Sequence, residues 1–79
     1  MNAAKLSTSP RLIRVLAVLE DGQEHSSLEV AARSGTIAPG TCVSELRANG
    51  YSIDCTQRHV EGKRVWYYRL IGRPSGRVA

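Results

Sequence analysis

Apolar residues recur at helical spacing in the first third of the chain. Ser9 can cap the free amide groups at the start of such a helix, and Pro10 suits its first position. The acidic, glycine-containing segment 20–22 then ends it. The spacing therefore predicts an amphipathic helix from about residue 9 to residue 19. Its apolar stripe is Leu12, Ile13, Val15, Leu16, Ala17 and Leu19.

Two shorter helices follow, separated by a glycine. Ser26 and Glu29 have the spacing of a capping box, in which each side chain accepts a hydrogen bond from the other residue's amide group. Gly35 permits the left-handed turn that ends this second helix. A third helix is predicted to begin at Pro39 and to close at residues 49–50, Asn-Gly. Its inward stripe is Pro39, Cys42, Val43, Leu46, Asn49 and Gly50, its outward positions are Gly40, Thr41, Ser44 and Ala48, and Glu45 and Arg47 flank the stripe.

The last third of the chain has the pattern of a β-hairpin. Residues 51–56 alternate, residues 65–70 are rich in β-forming side chains, and Glu61-Gly62-Lys63 is a turn between them. Residues 24–25 are predicted as a very short extended segment. The elements together predict an α+β domain of three helices and a C-terminal β-hairpin. On the hairpin we assign Trp66, Tyr68 and Leu70 to the core with Ile53 and Cys55, and Val65, Tyr67 and Arg69 to solvent.

The length of 79 residues limits the chain to one small domain. We predict a flexible N-terminus over 1–8, the folded domain over 9–71, and a disordered basic tail over 72–79. The longest apolar run, residues 15–19, is too short to span a bilayer, and the N-terminus lacks the charge order of a secretory signal. A cytoplasmic location is therefore expected, with no membrane partner.

The net charge of +4 is concentrated in the C-terminal part. Residues 1–57 carry five basic and six acidic groups, whereas residues 58–79 carry six basic groups and one acidic group. Such asymmetry points to a polyanionic partner, although a charge of this size also serves solubility. Cationic turns also protect hairpin edges from aggregation, which is an alternative reason for the basic loop.

Residues that carry catalysis or bind metals are sparse. Cys42 and Cys55 have no metal-ligand spacing and are expected to fill the core as small hydrophobes. His25 and His59 are expected at the surface, with no carboxylate cluster joining them. No nucleophile, base and orienting group converge, and no phosphate-loop glycine pattern occurs. We therefore predict no enzyme, no metal, no cofactor and no small-molecule substrate.

Several of these features together resemble a known family. The serine-capped helix ending at Gly35, the run Val43–Tyr51 and the Gly-Lys-Arg turn leading to Tyr68-Arg69-Leu70 resemble small winged helix-turn-helix proteins of bacteria and their phages. The resemblance covers roughly residues 9–71. It implies a DNA-binding domain, often regulatory. The chain departs from the family at residues 38–40, Ala-Pro-Gly, where related modules carry polar, DNA-reading side chains, so modest sequence specificity is expected.

The predicted interface with double-stranded DNA has two parts. The third helix would enter the major groove, with its uncapped start on a phosphate, hydroxyl groups near the bases and Arg47 reaching a guanine. The basic hairpin, or wing, would meet the backbone or the minor groove. His59 is a secondary candidate. The predicted DNA-binding residues are Gly40, Thr41, Ser44, Arg47, Arg58, Lys63 and Arg64.

The sequence leaves several alternatives open. The same winged fold serves as a protein–protein interaction module in larger complexes, in which case the wing would meet an acidic protein surface. For a DNA-binding protein, the target sequence and the choice between activator, repressor and architectural factor stay open. The oligomeric state also stays open, with a homodimer on DNA as one alternative.

Overall fold

The computed structural model describes residues 9–74, which form a small α+β domain with three helices and a three-stranded antiparallel sheet. The strand order in the sheet is β1-β3-β2. No helix in this part of the chain is long and apolar enough to cross a membrane. The elements are α1 (Pro10–Leu19), β1 (His25–Ser26), α2 (Ser27–Ser34), α3 (Pro39–Ala48), β2 (Ser52–Val60) and β3 (Lys63–Gly72).

The helix boundaries follow the capping residues that the sequence indicates. The Ser9 hydroxyl oxygen accepts from the Leu12 amide at 3.4 Å, and the Ser26 hydroxyl oxygen accepts from the Glu29 amide at 3.0 Å. Gly35 has a φ of 77° and donates its N–H to the Ala31 carbonyl, so it ends α2 as predicted. The side chain of Glu29 bonds elsewhere, so the structure gives only the serine half of the predicted capping box.

The core lies between the three helices and the adjoining part of the sheet. The prediction for Cys42 is confirmed, because its side chain is fully buried. The predictions for Cys55 and Trp66 are wrong, because Cys55 is exposed and Trp66 is 45% exposed. Both are on the predicted face. Trp66 is exposed because the hairpin extends beyond the helices, whereas Cys55, directly opposite the buried Tyr68, lies on β2 at the edge of the sheet. The buried apolar residues are Leu12, Val15, Leu16, Val18, Leu19, Val30, Cys42, Val43, Leu46, Ile53, Tyr68 and Leu70.

The hairpin closes through a two-residue turn. Val60 pairs with Lys63, which leaves Glu61 and Gly62 as the central residues. Their φ angles are 51° and 80°, the left-handed values that a tight hairpin turn of the I′ type requires. On the other side of β3, β1 pairs antiparallel with residues 67–68. The short extended segment predicted at residues 24–25 is thus a strand one residue later.

The end of β3 lies one residue beyond the predicted domain boundary at 71. Arg73 then donates to Glu20 at 3.2 Å. A Cβ added at Gly50, where φ is 97°, would lie 2.9 Å from Pro74 Cβ, so this glycine allows close approach of the chain end. The flexible N-terminus predicted over 1–8 and the end of the predicted basic tail, residues 75–79, lie outside the described residues.

Candidate functional site

The outer face of α3 carries only short side chains. Thr41, Ser44 and Ala48 are exposed, opposite the buried side chain of Leu46, as the helical period predicts. No side chain caps the start of α3, since Ala38 precedes it, and Pro39 has no N–H to donate. The start of α3 therefore presents backbone amides to solvent at the positive end of the helix dipole.

The start of α3 lies against the sheet at Tyr68. A Cβ added at Gly40 would lie 3.4 Å from the Tyr68 hydroxyl oxygen. Burial raises the pKa of Tyr68. Because alternate residues of a strand share a face, Trp66 and Arg64 follow Tyr68 on this side of β3. The start of α3 and Arg64 therefore lie on one side of the sheet, with about 13 Å of strand between Tyr68 and Arg64 at about 3.3 Å per residue.

Two further side chains extend this surface on the neighbouring strand. Gln57 is directly opposite Trp66, and His59 is directly opposite Arg64. Directly opposed residues of an antiparallel pair lie on the same face. The α3 side of the wing, defined here as Gln57, His59, Arg64 and Trp66, is thus a continuous exposed surface beside the start of α3.

Arg58 and Lys63 lie on the opposite face of the hairpin. Arg58 forms an ion pair with Glu24, in which Nη2 donates to Oε2 at 3.0 Å. Its guanidinium also lies over the Tyr67 ring, 4.9 Å from the centroid. The structure thus separates these two predicted site residues from the α3 side, and it ties Arg58 to the body of the domain. Arg58 and Glu24 are far apart in sequence, so nothing in the charge pattern reveals their pairing.

Arg47 is engaged with the sheet. It lies on the side of α3 nearest the strands, where its Nη2 donates to the Ile53 carbonyl at 2.5 Å. This bond joins the end of α3 to the beginning of β2. The predicted contact of Arg47 with a guanine stays a prediction, and it requires the side chain to leave this carbonyl.

The described cationic side chains fall into two groups, according to whether they are bonded within the domain. Within residues 9–74, the side chains of Lys63 and Arg64 at the tip of the wing have neither an ion pair nor a hydrogen bond to another residue. The side chains of the other arginines in this range are each bonded within the domain. Their partners are Glu45 for Arg11, the Ser34 carbonyl for Arg14, Glu29 for Arg33, the Ile53 carbonyl for Arg47, Glu24 for Arg58, the Gly22 carbonyl for Arg69 and Glu20 for Arg73.

His25 is a site that the sequence analysis missed. The predicted surface position is wrong, because His25 is buried between two carboxylates. Its Nδ1 lies 2.9 Å from Glu29 Oε2, and its Nε2 lies 2.9 Å from Asp21 Oδ1. The four-residue spacings are visible in the sequence, but β1 carries His25, so helical geometry does not bring the three together. With both ring nitrogens occupied, this histidine serves structure rather than general-base catalysis.

The carboxylates change the ionisation of His25. Burial acts to lower the pKa of His25, but the hydrogen bonds with Asp21 and Glu29 outweigh it and raise that pKa. The pKa of Asp21 is lowered by the Gln23 amide and by His25, and the pKa of Glu29 is lowered by His25 and Arg33. When protonated, His25 therefore links the segment before β1 to α2 through both carboxylates.

The described part of the chain contains no group of three or more His, Cys, Asp or Glu residues placed to hold a metal ion. What the site offers instead is a row of short side chains on α3, free amides at its start, and two unpaired cations on the wing. The chain matches no protein-family model, no curated protein and no solved structure.

Proposed function

We propose that this chain is a winged helix-turn-helix domain that binds double-stranded DNA, as a transcriptional regulator or architectural factor of phage or prophage type. The order of elements supports the proposal: a helix, a short strand, two helices joined by a glycine turn, and a hairpin. The strand order β1-β3-β2 supports it too, because the hairpin then lies beside the short strand with its tip projecting from the helices.

One observation carries the DNA-binding proposal. The start of α3 and the α3 side of the wing lie on the same side of the sheet, and none of the four residues that define the α3 side of the wing is a carboxylate. In this binding mode α3 enters the major groove and the wing follows the adjacent backbone. The row of short side chains on α3 lets the helix approach the base edges closely.

The residues divide into contacts and supports. Free amides at the start of α3 hydrogen-bond a phosphate, and Thr41 and Ser44 face the base edges. Lys63 and Arg64 neutralise backbone phosphates, because neither side chain is ion-paired within the domain. Arg47 and Arg58 hold α3 and the wing in place in the free protein, and binding DNA through either one requires breaking an internal bond.

The salt dependence of binding to a fluorescently labelled duplex of random sequence tests this function. Each phosphate contact adds about 0.9 to the slope of log affinity against log salt. We expect Lys63→Ala and Arg64→Ala each to reduce the slope by about that amount. Arg73→Ala is the matched control, since it removes the same charge at the opposite end of β3 and should leave the slope nearly unchanged.

Two outcomes would contradict the proposal. Absence of duplex binding at low salt would exclude DNA as the partner and favour the protein-interaction module. An equal loss of slope in all three variants would mean that the duplex responds to net charge alone, without a defined interface. Circular dichroism of each variant checks that the fold is retained.

A further inference from the structure

The turn between α2 and α3 displays an apolar side chain. Ile37 is 99% exposed, the highest exposure among the large apolar residues described. The turn around it is anchored, since the buried Thr36 hydroxyl oxygen accepts from the Ala38 amide at 3.2 Å and lies 3.7 Å from Cys42 Sγ. Ile37 is therefore held outward by bonded residues on both sides.

Ile37 directly precedes the part of α3 that the proposed function directs into the major groove. The exposed outer positions of α3, Thr41, Ser44 and Ala48, follow it in the sequence. None of these has an amide or guanidinium group able to make a bidentate bond to a base, and Arg47 is bonded to the Ile53 carbonyl. Hydrogen-bond reading by this row is limited to two hydroxyl groups, whereas Ile37, Thr41 and Ala48 all present methyl groups.

The major groove offers one apolar feature to such a row. Each thymine carries a C5-methyl group on its major-groove edge, and apolar side chains and the threonine methyl contact it. Within residues 34–41, Ile37 is the one large exposed apolar side chain, whereas protein interfaces depend on clustered large side chains. The chemistry of this end of α3 thus favours a methylated base edge.

We propose that Ile37, together with the methyl group of Thr41, recognises thymine C5-methyl groups in the major groove. This inference rests on the proposed DNA-binding function and specifies which chemical group of the DNA the protein recognises. Preference for a sequence then arises from apolar contacts rather than from bidentate hydrogen bonds.

Paired DNA polymers test the inference, because alternating poly(dA-dT) and poly(dA-dU) differ only in the C5-methyl group. Burying one methyl group contributes about four-fold in affinity, so we expect poly(dA-dT) to bind about four- to twenty-fold more tightly than poly(dA-dU). Methylating C5 of cytosine in alternating poly(dG-dC) should likewise raise affinity, since that methyl occupies the same groove.

Protein variants identify the side chain that makes the contact. Ile37→Ser should remove most of the preference for poly(dA-dT), and Thr41→Ser, which keeps the hydroxyl group, should remove a smaller part. The double variant should bind both polymers about equally. Leu28→Ser is the matched control, since Leu28 is 73% exposed on α2. It should keep the full preference. Because the side chains of Leu28 and Ile37 are both exposed, neither substitution should impair folding.

The outcomes separate this inference from the proposed function. Failure to bind any duplex would overturn both. Equal binding of poly(dA-dT) and poly(dA-dU) by the parent protein would overturn the methyl contact and leave DNA binding standing. A full preference retained by Ile37→Ser would also overturn it, and would assign Ile37 to a protein partner instead.

Discussion

The cations of the domain body and those at the tip of the wing differ in what they bind. Arg58, although part of the hairpin, is bound to Glu24 and lies over Tyr67. The side chains of Lys63 and Arg64 have no bonded partner in the described range 9–74. All three residues lie in the same basic C-terminal segment, so the sequence does not distinguish them. The comparison teaches that the charge available to a partner is smaller, and more localised, than the charge of the C-terminal segment.

A similar contrast separates the two ends of the sheet. Where β3 lies under the helices, Tyr68 and Leu70 are buried. Two residues closer to the tip of the wing, Trp66 lies on the same face of β3 and is about half exposed. Burial thus depends on how far the hairpin extends past the helices, which alternation along a strand does not encode. The inner sheet is part of the core, and the outer sheet presents a surface.

The largest expected effect tests whether side chains of the domain body contribute more to stability than side chains of the wing. Leu46→Ala removes a fully buried side chain of α3 and should lower the free energy of unfolding by about 2–5 kcal/mol. Trp66→Ala, on the wing, should cost about 1–2 kcal/mol, because about half of the side chain is already in water. Urea unfolding followed by circular dichroism measures both. Equal losses would mean that the outer hairpin belongs to the core.

The second prediction concerns the buried and the exposed histidine. His25→Gln should lower the free energy of unfolding by roughly 1–3 kcal/mol near pH 6, because two hydrogen bonds to a charged group are lost. His59→Gln, at an exposed wing position, is the control and should unfold like the parent protein. A similar loss in both variants would contradict the assigned role of His25.

The pH dependence of the parent protein follows from the same cluster. The raised pKa of His25 contributes stability that is present below about pH 6.5, its ordinary value, and is lost as pH rises through the raised value. The lowered pKa values of Asp21 and Glu29 contribute stability above about pH 4 that is lost as pH falls through them. The contribution of the cluster to the free energy of unfolding should therefore be greatest between about pH 4 and 6.5. His25→Gln should reduce the fall in the free energy of unfolding above that range.

The third prediction compares two arginines of the hairpin, of which one stabilises the fold and the other is available to DNA. Arg58→Ala should cost about 1 kcal/mol of stability, because it removes an ion pair and a cation–π contact. Arg64→Ala should leave stability nearly unchanged and reduce duplex affinity more than Arg58→Ala does. Thermal unfolding and duplex titration of the same two variants measure this. Reversed effects would remove the distinction between bound and available cations.

The smallest predicted effect lies in the wing turn. Glu61 has a φ of 51°, which a side chain disfavours and which asparagine adopts more readily. Glu61→Asn should therefore raise the free energy of unfolding by about 0.5 kcal/mol. It should also raise duplex affinity slightly, since a carboxylate beside Lys63 is removed. Lower thermal stability of this variant would argue against the turn geometry.

The fold was largely predictable because its signals are local. Ser9, Ser26, Gly35 and Pro39 mark helix boundaries through short-range hydrogen bonds and fixed backbone angles, and the structure has boundaries at these residues. The exposure of Cys55 was not predictable in this way, because it depends on the place of β2 at the edge of the sheet, which no local signal encodes.

The candidate site was predictable in its residue types but less so in its arrangement. The helical period correctly gives Thr41 and Ser44 as exposed. The pairing of Arg58 with Glu24 joins residues distant in sequence, and the bond from Arg47 to the Ile53 carbonyl involves a backbone group that carries no sequence signal. The opposite facing of Lys63 and Arg64 follows from strand alternation once the turn is known to contain two residues.

Backbone amide chemical shifts, recorded with and without a random-sequence duplex, test the central claim most directly. If the start of α3 and the wing bind one duplex together, shifts should cluster at residues 40–44 and 63–64, and both clusters should saturate at the same duplex concentration. Shifts confined to one of these segments, or centred on the exposed residues of α1, would contradict the proposed interface.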